Sequence, residues 1–135
     1  ARHGTPTCVM MIDIDYFKSI NDSHGHAAGD HVLIDTVRQI TAATRTSDAV
    51  FRYGGEEFVV VLSNTSLDGA RRLAERVRES VRKSRGTALS VTVSIGVSAW
   101  QPDDSATTLL NRADARLYSA KHQGRNRVVS EDAGA

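Results

Sequence analysis

The sequence of 135 residues has one cysteine, two prolines and few aromatic residues, and its charges of opposite sign nearly balance. The cysteine, Cys8, lies in an apolar run and has no partner in the chain, so an internal disulfide is excluded and a reducing compartment is expected. With 17 basic and 16 acidic residues, the chain lacks the basic excess typical of proteins that bind polymeric nucleic acid. We therefore do not expect a polymeric nucleic acid as a partner.

Long apolar runs are missing as well. No run approaches the roughly 20 apolar residues of a membrane-spanning helix, and residues 1–8 lack the apolar core of a signal peptide. We therefore expect a cytoplasmic domain, in a parent protein that could itself be membrane-anchored. The absence of G-x-x-x-x-G-K-[ST] and G-x-S-x-G motifs argues against a P-loop NTPase and against serine acyl chemistry.

What the sequence does contain is an alternation of strand-like and helix-like segments, in a length typical of one domain. Apolar and polar periodicity predicts strands at residues 8–14, 49–53, 57–62, 89–100 and 126–130, and helices at 28–45, 66–84 and 105–124. The second and third strands form a predicted hairpin, whose two glycines are expected to adopt the positive φ of a primed turn. The pattern predicts a single α+β domain over residues 1–135, with helices packed on a central, mostly antiparallel sheet.

Acidic residues follow the ends of two predicted strands. Asp13 and Asp15 share one side of the first strand, unless the strand ends between them and Asp15 caps the next helix. Glu56 and Glu57 follow the hairpin turn, and pairing of the hairpin with the first strand would bring one or both near Asp13. Such a cluster needs a cation, and Mg²⁺ is held by carboxylates, backbone oxygens and substrate phosphates. The alternative, four solvated edge charges, is less favoured because the acids end apolar strands beside glycines.

The stretch "FKSINDSHGHAAGD" suggests nucleotide binding. Lys18 can bind a phosphate, and Asn21 and Asp30 can accept hydrogen bonds from the ring N–H and amino group of a guanine. On these residues alone, the better interpretation is that Asn21 ends one helix and Asp30 caps the next. His24 and His26 lack further ligands at usable spacing, so we do not expect zinc.

A basic pair lies near the predicted end of the last helix. Lys121 and Arg125 are one helical turn apart, close to Gly124. Basic side chains at this position commonly complement the helix dipole, and they can also bind phosphates. The pair therefore gains a functional meaning only if a phosphate ligand is present.

Four segments carry a family resemblance when they are taken in their order and spacing: "DIDYFKSINDSHGHAAGD", "RYGGEEF", "VTVSIGV" and "ADARLYSAKHQGRN". Together they resemble the GGDEF domains, the diguanylate cyclases, over almost the whole chain, with GGEEF as an accepted form of the signature. The resemblance implies a fold similar to nucleotide cyclases and polymerase palm domains. It also implies an enzyme that condenses two GTP molecules into cyclic di-GMP and releases two pyrophosphates.

The resemblance further implies roles for individual residues. For a Mg²⁺ cofactor, with Mn²⁺ as a substitute, the implied ligands are Asp13, the backbone carbonyl of Ile14, Glu56 and the assisting Glu57. Glu56 is the implied proton acceptor, and Lys18 the second catalytic residue. The implied substrate contacts are Asn21 and Asp30 to guanine, Gly54 and Gly55 through close backbone approach, His26 near the nucleotide, and Phe17, Lys18, Lys121 and Arg125 to the triphosphate.

Upstream of the hairpin, "RTSD" stands at the spacing of the family's R-x-x-D inhibitory site. Arg45 and Asp48 would bind the product cyclic di-GMP, and Arg76 would complete the site. A helix-terminal arginine and a loop aspartate are the plainer interpretation, but the register against GGEEF favours the inhibitory one. We therefore expect product inhibition.

The resemblance also concerns partners. Because each domain resembles one that holds one GTP, the product requires two domains facing each other, which predicts a catalytic homodimer. The D-x-L-T-G-L-x-N-R segment that usually precedes the first strand is absent, and we expect a parent protein with an N-terminal sensory domain. The alternative function is a non-catalytic module that binds GTP or serves as a cyclic di-GMP receptor.

Overall fold

Five strands and four helices alternate in residues 5–132, the part of the chain that the computed structural model describes. In chain order they are β1 (Thr7–Ile14), α1 (Phe17–His24), α2 (His26–Ala43), β2 (Ala49–Arg52), β3 (Glu57–Ser63), α3 (Leu67–Lys83), β4 (Val93–Ala99), α4 (Ala106–His122) and β5 (Val128–Val129). The sheet order is β2-β3-β1-β4-β5, and only the β4–β5 pair is parallel. The predicted α+β fold with a mostly antiparallel sheet flanked by helices is thereby confirmed.

The central strand β1 is buried on both faces of the sheet. Met10 and Ile12 belong to a core formed with α2 and α3, whereas Val9 and Met11 pack on the other face against α4. Because successive residues of a strand point to opposite faces, a strand covered on both sides requires the unbroken apolar run seen in the sequence. Within residues 5–132, no helix has the length and hydropathy that a membrane crossing requires.

Helix α4 approaches β4 at Gly96. A Cβ atom at this position would lie 2.1 Å from the carbonyl oxygen of Ala113 and 2.3 Å from the amide nitrogen of Leu117. The absence of a side chain is what allows the helix backbone to lie directly on the strand. A capping box formed by Ser105 and Thr108 fixes the other end of α4. These contacts determine where the last turn of α4 meets the end of β1.

Three predicted details of the backbone are wrong. Gly54 and Gly55 do not have positive φ, so the hairpin turn is not a primed turn. The reversal is instead spread over residues 53–56, with the amides of Tyr53 and Gly54 both donating to the carbonyl of Glu57. The predicted strand at 89–100 is shorter, Val93–Ala99, and the helix predicted to begin at residue 28 begins at His26.

Neither predicted acidic cap is observed. β1 does end between Asp13 and Asp15, but the N-cap of α1 is Tyr16, with no capping side chain, and Asp15 turns into the protein instead. Asp30 lies inside α2, whose N-cap is Gly25. The residues that precede the two helices, Tyr16 and Gly25, both have positive φ. A side chain that caps a helix normally belongs to a residue with extended backbone angles, so neither helix start has the conformation that the cap predictions assumed.

Candidate active site

The acidic residues of β1 and of the hairpin meet at one end of the sheet. In the β1–β3 register Asp13 lies opposite Glu57, and the Ile14 amide donates to the carbonyl oxygen of Glu56 at 3.2 Å. Asp13 is only 3% exposed, whereas both glutamates are half-buried. The prediction that strand pairing brings the hairpin acids close to Asp13 is confirmed.

Lys121 supplies the positive charge of this cluster. Its Nζ donates to Asp13 Oδ2 at 2.5 Å from the last turn of α4. Burial above all, together with the charges of Glu56 and Glu57, raises the pKa of Asp13 to about 6 against the opposing hydrogen bond and charge of Lys121. Three carboxylates therefore share one ammonium, which leaves the cluster short of positive charge.

The donor chemistry fits a hard divalent cation. The carboxylates of Asp13, Glu56 and Glu57 offer oxygen ligands alone, the type that Mg²⁺ prefers. In residues 5–132, however, no three acidic, histidine or cysteine side chains are arranged as a ready-made metal cluster. A cation here would need backbone and substrate oxygens in addition, and it would compete with Lys121 for Asp13.

The hairpin turn beside these acids is held by a residue that the sequence analysis missed. Arg52 donates from Nε to the carbonyl of Gly54 at 3.2 Å and from Nη2 to the carbonyl of Gly55 at 2.7 Å. A Cβ atom on Gly54 would lie 3.1 Å from Glu57 Oε1, so this glycine leaves room for the glutamate. The only sequence signal for Arg52 is its place directly before the turn.

The predicted base-reading residues lie where α1 meets α2. A Cβ atom at Gly29 would come within 1.8 Å of Asn21 Oδ1, so the missing side chain makes space for Asn21 against α2. Asp30 follows directly and is exposed, as is His26 at the start of α2. Lys18 is exposed and pairs with Asp22 at 3.0 Å. Phe17, the first residue of α1, is half-buried.

An apolar cleft of about 250 Å³ lies between the middle of α2 and the hairpin strands. It is lined by Leu33, Ile34, Val37, Arg52 and Phe58. Leu33 is three residues after Asp30 in α2, so both lie on the same side of that helix. The cleft therefore has an apolar floor near an exposed carboxylate, the combination that a planar, polar-edged base requires.

The predicted basic pair does not share a helical face. α4 ends at His122, and Arg125 follows it in a left-handed conformation, with φ 65°. Its guanidinium carbon lies 4.6 Å from the centre of the Tyr16 ring. Both basic side chains nevertheless reach the end of β1, Lys121 through Asp13 and Arg125 through Tyr16.

The three residues predicted for the inhibitory site line one cleft. This polar cleft, of about 360 Å³, is lined by Ala43, Arg45, Asp48, Asn64, Thr65, Ser66, Gly69, Leu73 and Arg76. Arg45 Nη2 donates to the carbonyl of Ser63 at 2.6 Å and to Thr65 Oγ1 at 2.8 Å. The side chain of Asp48 is 1% exposed and accepts from the Arg45 amide at 2.9 Å. The sequence analysis did not anticipate the contribution of residues 64–66.

Comparison with known proteins agrees with this architecture. The sequence model of the family described as "Diguanylate cyclase, GGDEF domain" matches residues 1–127. The chain is 50% identical over 126 residues to diguanylate cyclase A of Treponema denticola, covering 90% of this chain and 34% of that protein. The chain therefore belongs to the GGDEF domain family of diguanylate cyclases.

Solved structures show the same fold. The active GGEEF domain of a diguanylate cyclase from Vibrio cholerae is 34% identical, with a TM-score of 0.90 over 95% of this chain and 84% of that chain. The GGDEF domain of DgcB from Caulobacter crescentus, in complex with c-di-GMP, is 35% identical, with a TM-score of 0.87 over 94% and 78%. The chain spans about a third of the length of the curated relatives it matches.

Proposed function

We propose that this domain is a diguanylate cyclase, which condenses two GTP molecules into cyclic di-GMP and releases two pyrophosphates. The observation that carries the proposal is the buried Asp13, which faces Glu57 across the β1–β3 pair and accepts from the Lys121 ammonium. An acidic cluster with an excess of negative charge, near the basic Lys121 and Arg125, suits a substrate that carries phosphates and arrives with a cation. The membership of the family supports the same reaction.

The residues that would hold Mg²⁺, or Mn²⁺ in its place, are Asp13, Ile14 through its carbonyl, Glu56 and Glu57. When bound, the cation supplies positive charge that stabilises the α-phosphate and the leaving pyrophosphate. The triphosphate is bound by one backbone amide and three basic side chains, namely the Phe17 amide, Lys18, Lys121 and Arg125. These contacts hold the α-phosphate in line with its attacking group.

The chemical step is a displacement at phosphorus. The 3′-oxygen of one GTP forms a bond to the α-phosphate of the other, and the bond from that phosphate to the β-phosphate breaks. Glu56 accepts the proton of the 3′-hydroxyl, and Lys18 draws charge from the phosphates as pyrophosphate leaves. Repetition of the step in the opposite sense closes the ring, so two domains must face each other as a homodimer.

Guanine specificity is proposed for the α1–α2 junction. Asn21 and Asp30 would accept from the ring N–H and the amino group of guanine, over the apolar cleft that includes Leu33. Gly54 and Gly55 let the hairpin backbone approach the nucleotide, and His26 lies at the exposed start of α2. Adenine lacks this pair of donors, so the site would discriminate against ATP.

Product inhibition is proposed for the cleft of Arg45, Asp48 and Arg76. Two arginines against one buried aspartate leave the cleft positively charged, which favours a ligand with phosphates. Cyclic di-GMP would be both product and inhibitor. We also propose an N-terminal sensory domain in the parent protein, in keeping with the name of a relative at 46% identity, "Response regulator PleD".

The direct test is to incubate the purified domain with GTP and Mg²⁺, at concentrations high enough for dimers, and to quantify cyclic di-GMP and pyrophosphate by chromatography. We expect equimolar amounts of pyrophosphate and consumed GTP, and none of either product with ATP. If no cyclic di-GMP forms while GTP or cyclic di-GMP binds, the domain is the non-catalytic binding module instead.

A further inference from the structure

Unusual backbone conformations are concentrated at one place in the domain. Six described residues have positive φ, and four of them, Tyr16, Gly124, Arg125 and Asn126, surround the end of β1. Three of these four are not glycine, and tyrosine and arginine, unlike asparagine, seldom adopt left-handed conformations. One side chain, that of Asp15, precedes Tyr16 in the chain and accepts from the amide of Asn126.

Asp15 is buried, with 4% of its surface exposed. Its carboxylate accepts from Thr92 Oγ1 at 2.6 Å, from Ser94 Oγ at 2.7 Å and from the backbone amide of Asn126 at 3.0 Å. The two hydroxyls anchor the carboxylate to the segment that enters β4, and the amide bond ties it to the turn after α4. With these donors satisfied, Asp15 faces the protein interior and contributes no ligand to the cluster of Asp13.

The residues that Asp15 holds are the neighbours of a stacked pair. Tyr16 follows it in the chain, and Arg125 precedes Asn126, so one carboxylate fixes the backbone on both sides of the Tyr16–Arg125 contact. The turn is held from its other side as well, because Arg78 Nη1 donates to Asn126 Oδ1 at 2.9 Å. The guanidinium of Arg125 is thereby aimed over the tyrosine ring at the end of the sheet that carries Asp13.

We propose that Asp15 is a positioning residue for phosphate binding: it acts through Arg125, by fixing the left-handed turn that presents this guanidinium to the triphosphate. The inference deepens the proposed function and rests on it for the identity of the ligand. Asp15 itself touches neither substrate nor cation. The two aspartates of the D-x-D pattern therefore have different roles. Asp13 belongs to the acidic cluster, whereas Asp15 positions the basic side chain of Arg125.

The test is a double-mutant cycle between Asp15→Ala and Arg125→Ala, read as the dissociation constant of GTP with Mg²⁺ by calorimetry. Asp15→Ala leaves the Asn126 amide and two hydroxyls without their acceptor, and we expect GTP binding to weaken about tenfold, as for loss of one charge-assisted contact. In the Arg125→Ala background the same change should weaken binding by a factor near one. Equal factors in the two backgrounds would overturn the proposal.

Two further variants separate positioning from general loss of structure. Asp15→Asn keeps one oxygen for the Asn126 amide and can turn its amide group towards Ser94, so it should restore binding to within about threefold of the wild type. Asp103→Asn, at an exposed aspartate, is the matched control for loss of a carboxylate. In steady-state assays Asp15→Ala should raise KM for GTP far more than it lowers kcat, and the Mg²⁺ concentration for half-maximal activity should not change. A shifted Mg²⁺ requirement would identify Asp15 as a ligand and refute the positioning role.

The two levels of the proposal fail in different ways. A wild-type domain that forms no cyclic di-GMP refutes the cyclase, whereas the calorimetric cycle still decides the role of Asp15. Amide hydrogen exchange at Asn126, measured without any nucleotide, should be faster in Asp15→Ala than in Asp103→Asn. Unchanged exchange would show that the turn does not depend on Asp15, and the inference would be wrong.

Discussion

The two ends of β3 carry groups of opposite net charge. At its start, Glu57 joins Asp13 and Glu56 around a single ammonium, that of Lys121. At its end, the carbonyl of Ser63 accepts from Arg45, in a cleft with two arginines and one buried aspartate. The acidic end therefore has an excess of negative charge and the basic end an excess of positive charge.

The difference shows what each end can bind. A compensating cation is favoured beside three carboxylates of which Asp13 is buried, and burial first, then the charges of Glu56 and Glu57, raise the pKa of Asp13. The basic end is already partly compensated, since Asp48 accepts from the Arg45 amide and lies 3.4 Å from its guanidinium. The acidic end therefore suits a cation with its phosphates, and the basic end suits an anion that displaces an internal contact.

The largest expected effect is at the acidic end. Glu56→Gln keeps the shape of the side chain and removes the proton acceptor, so we expect kcat to fall by about 10²–10⁴. Cyclic di-GMP formation at saturating GTP and Mg²⁺ measures it. Glu131→Gln, at an exposed glutamate, is the control and should match the wild type. Comparable activity in Glu56→Gln would remove this residue from the mechanism.

A substitution in β4 tests whether activity at the acidic end depends on the position of α4. Gly96→Ala forces α4 off β4 and should cost about 3 kcal/mol of unfolding free energy, measured by urea denaturation. Because α4 carries Lys121, turnover should fall more than affinity for cyclic di-GMP at the basic end. Gly69→Ala, where a Cβ atom has ordinary contacts of 3.4 Å, is the control for the stability measurement alone, because Gly69 lines the basic cleft. Equal losses at both ends would contradict the separation.

Removal of the Lys121 ammonium should make the stability of the domain depend more strongly on a bound cation. Lys121→Met leaves Asp13 without its partner and should cost about 2 kcal/mol, less than the roughly 3–5 kcal/mol of fully buried pairs, because the lysine is partly exposed. Added Mg²⁺ should then raise the melting temperature of this variant more than that of the wild type. Lys83→Met, at an exposed lysine paired with Glu79, is the control. An equal Mg²⁺ response in all three proteins would argue against a cation at Asp13.

The smallest expected effect concerns the basic end. Arg76→Ala removes one of two positive charges from the cleft. With inhibition expressed relative to each protein's own uninhibited rate, the cyclic di-GMP concentration for half inhibition should be about tenfold higher than in the wild type. Initial rates at increasing product concentration measure it. Arg85→Ala, an exposed arginine after α3, controls for loss of surface charge. Undiminished inhibition in Arg76→Ala would exclude this arginine from the inhibitory site.

Much of the fold and of the acidic cluster could be predicted from local pattern. Apolar runs and periodicity predicted β1, the hairpin and α4, and the acids at the strand ends were expected to meet if the hairpin paired with β1. The turn at Gly54 and Gly55 could not be predicted correctly, because its conformation depends on donation from the Arg52 side chain. The helical face assumed for Arg125 was wrong because α4 ends three residues earlier.

The role of Asp15 could not be predicted, because it depends on contacts with residues that are far away in the sequence. Its partners Thr92 and Asn126 are 77 and 111 residues away in the chain, so no periodicity near Asp15 distinguishes it from Asp13. Periodicity reports which face of an element is buried, because burial depends on side chains a few residues apart. Asp13 joins the acidic cluster, whereas Asp15, two residues later, accepts from two hydroxyls and from the turn after α4. This difference depends on the order of the strands in the sheet.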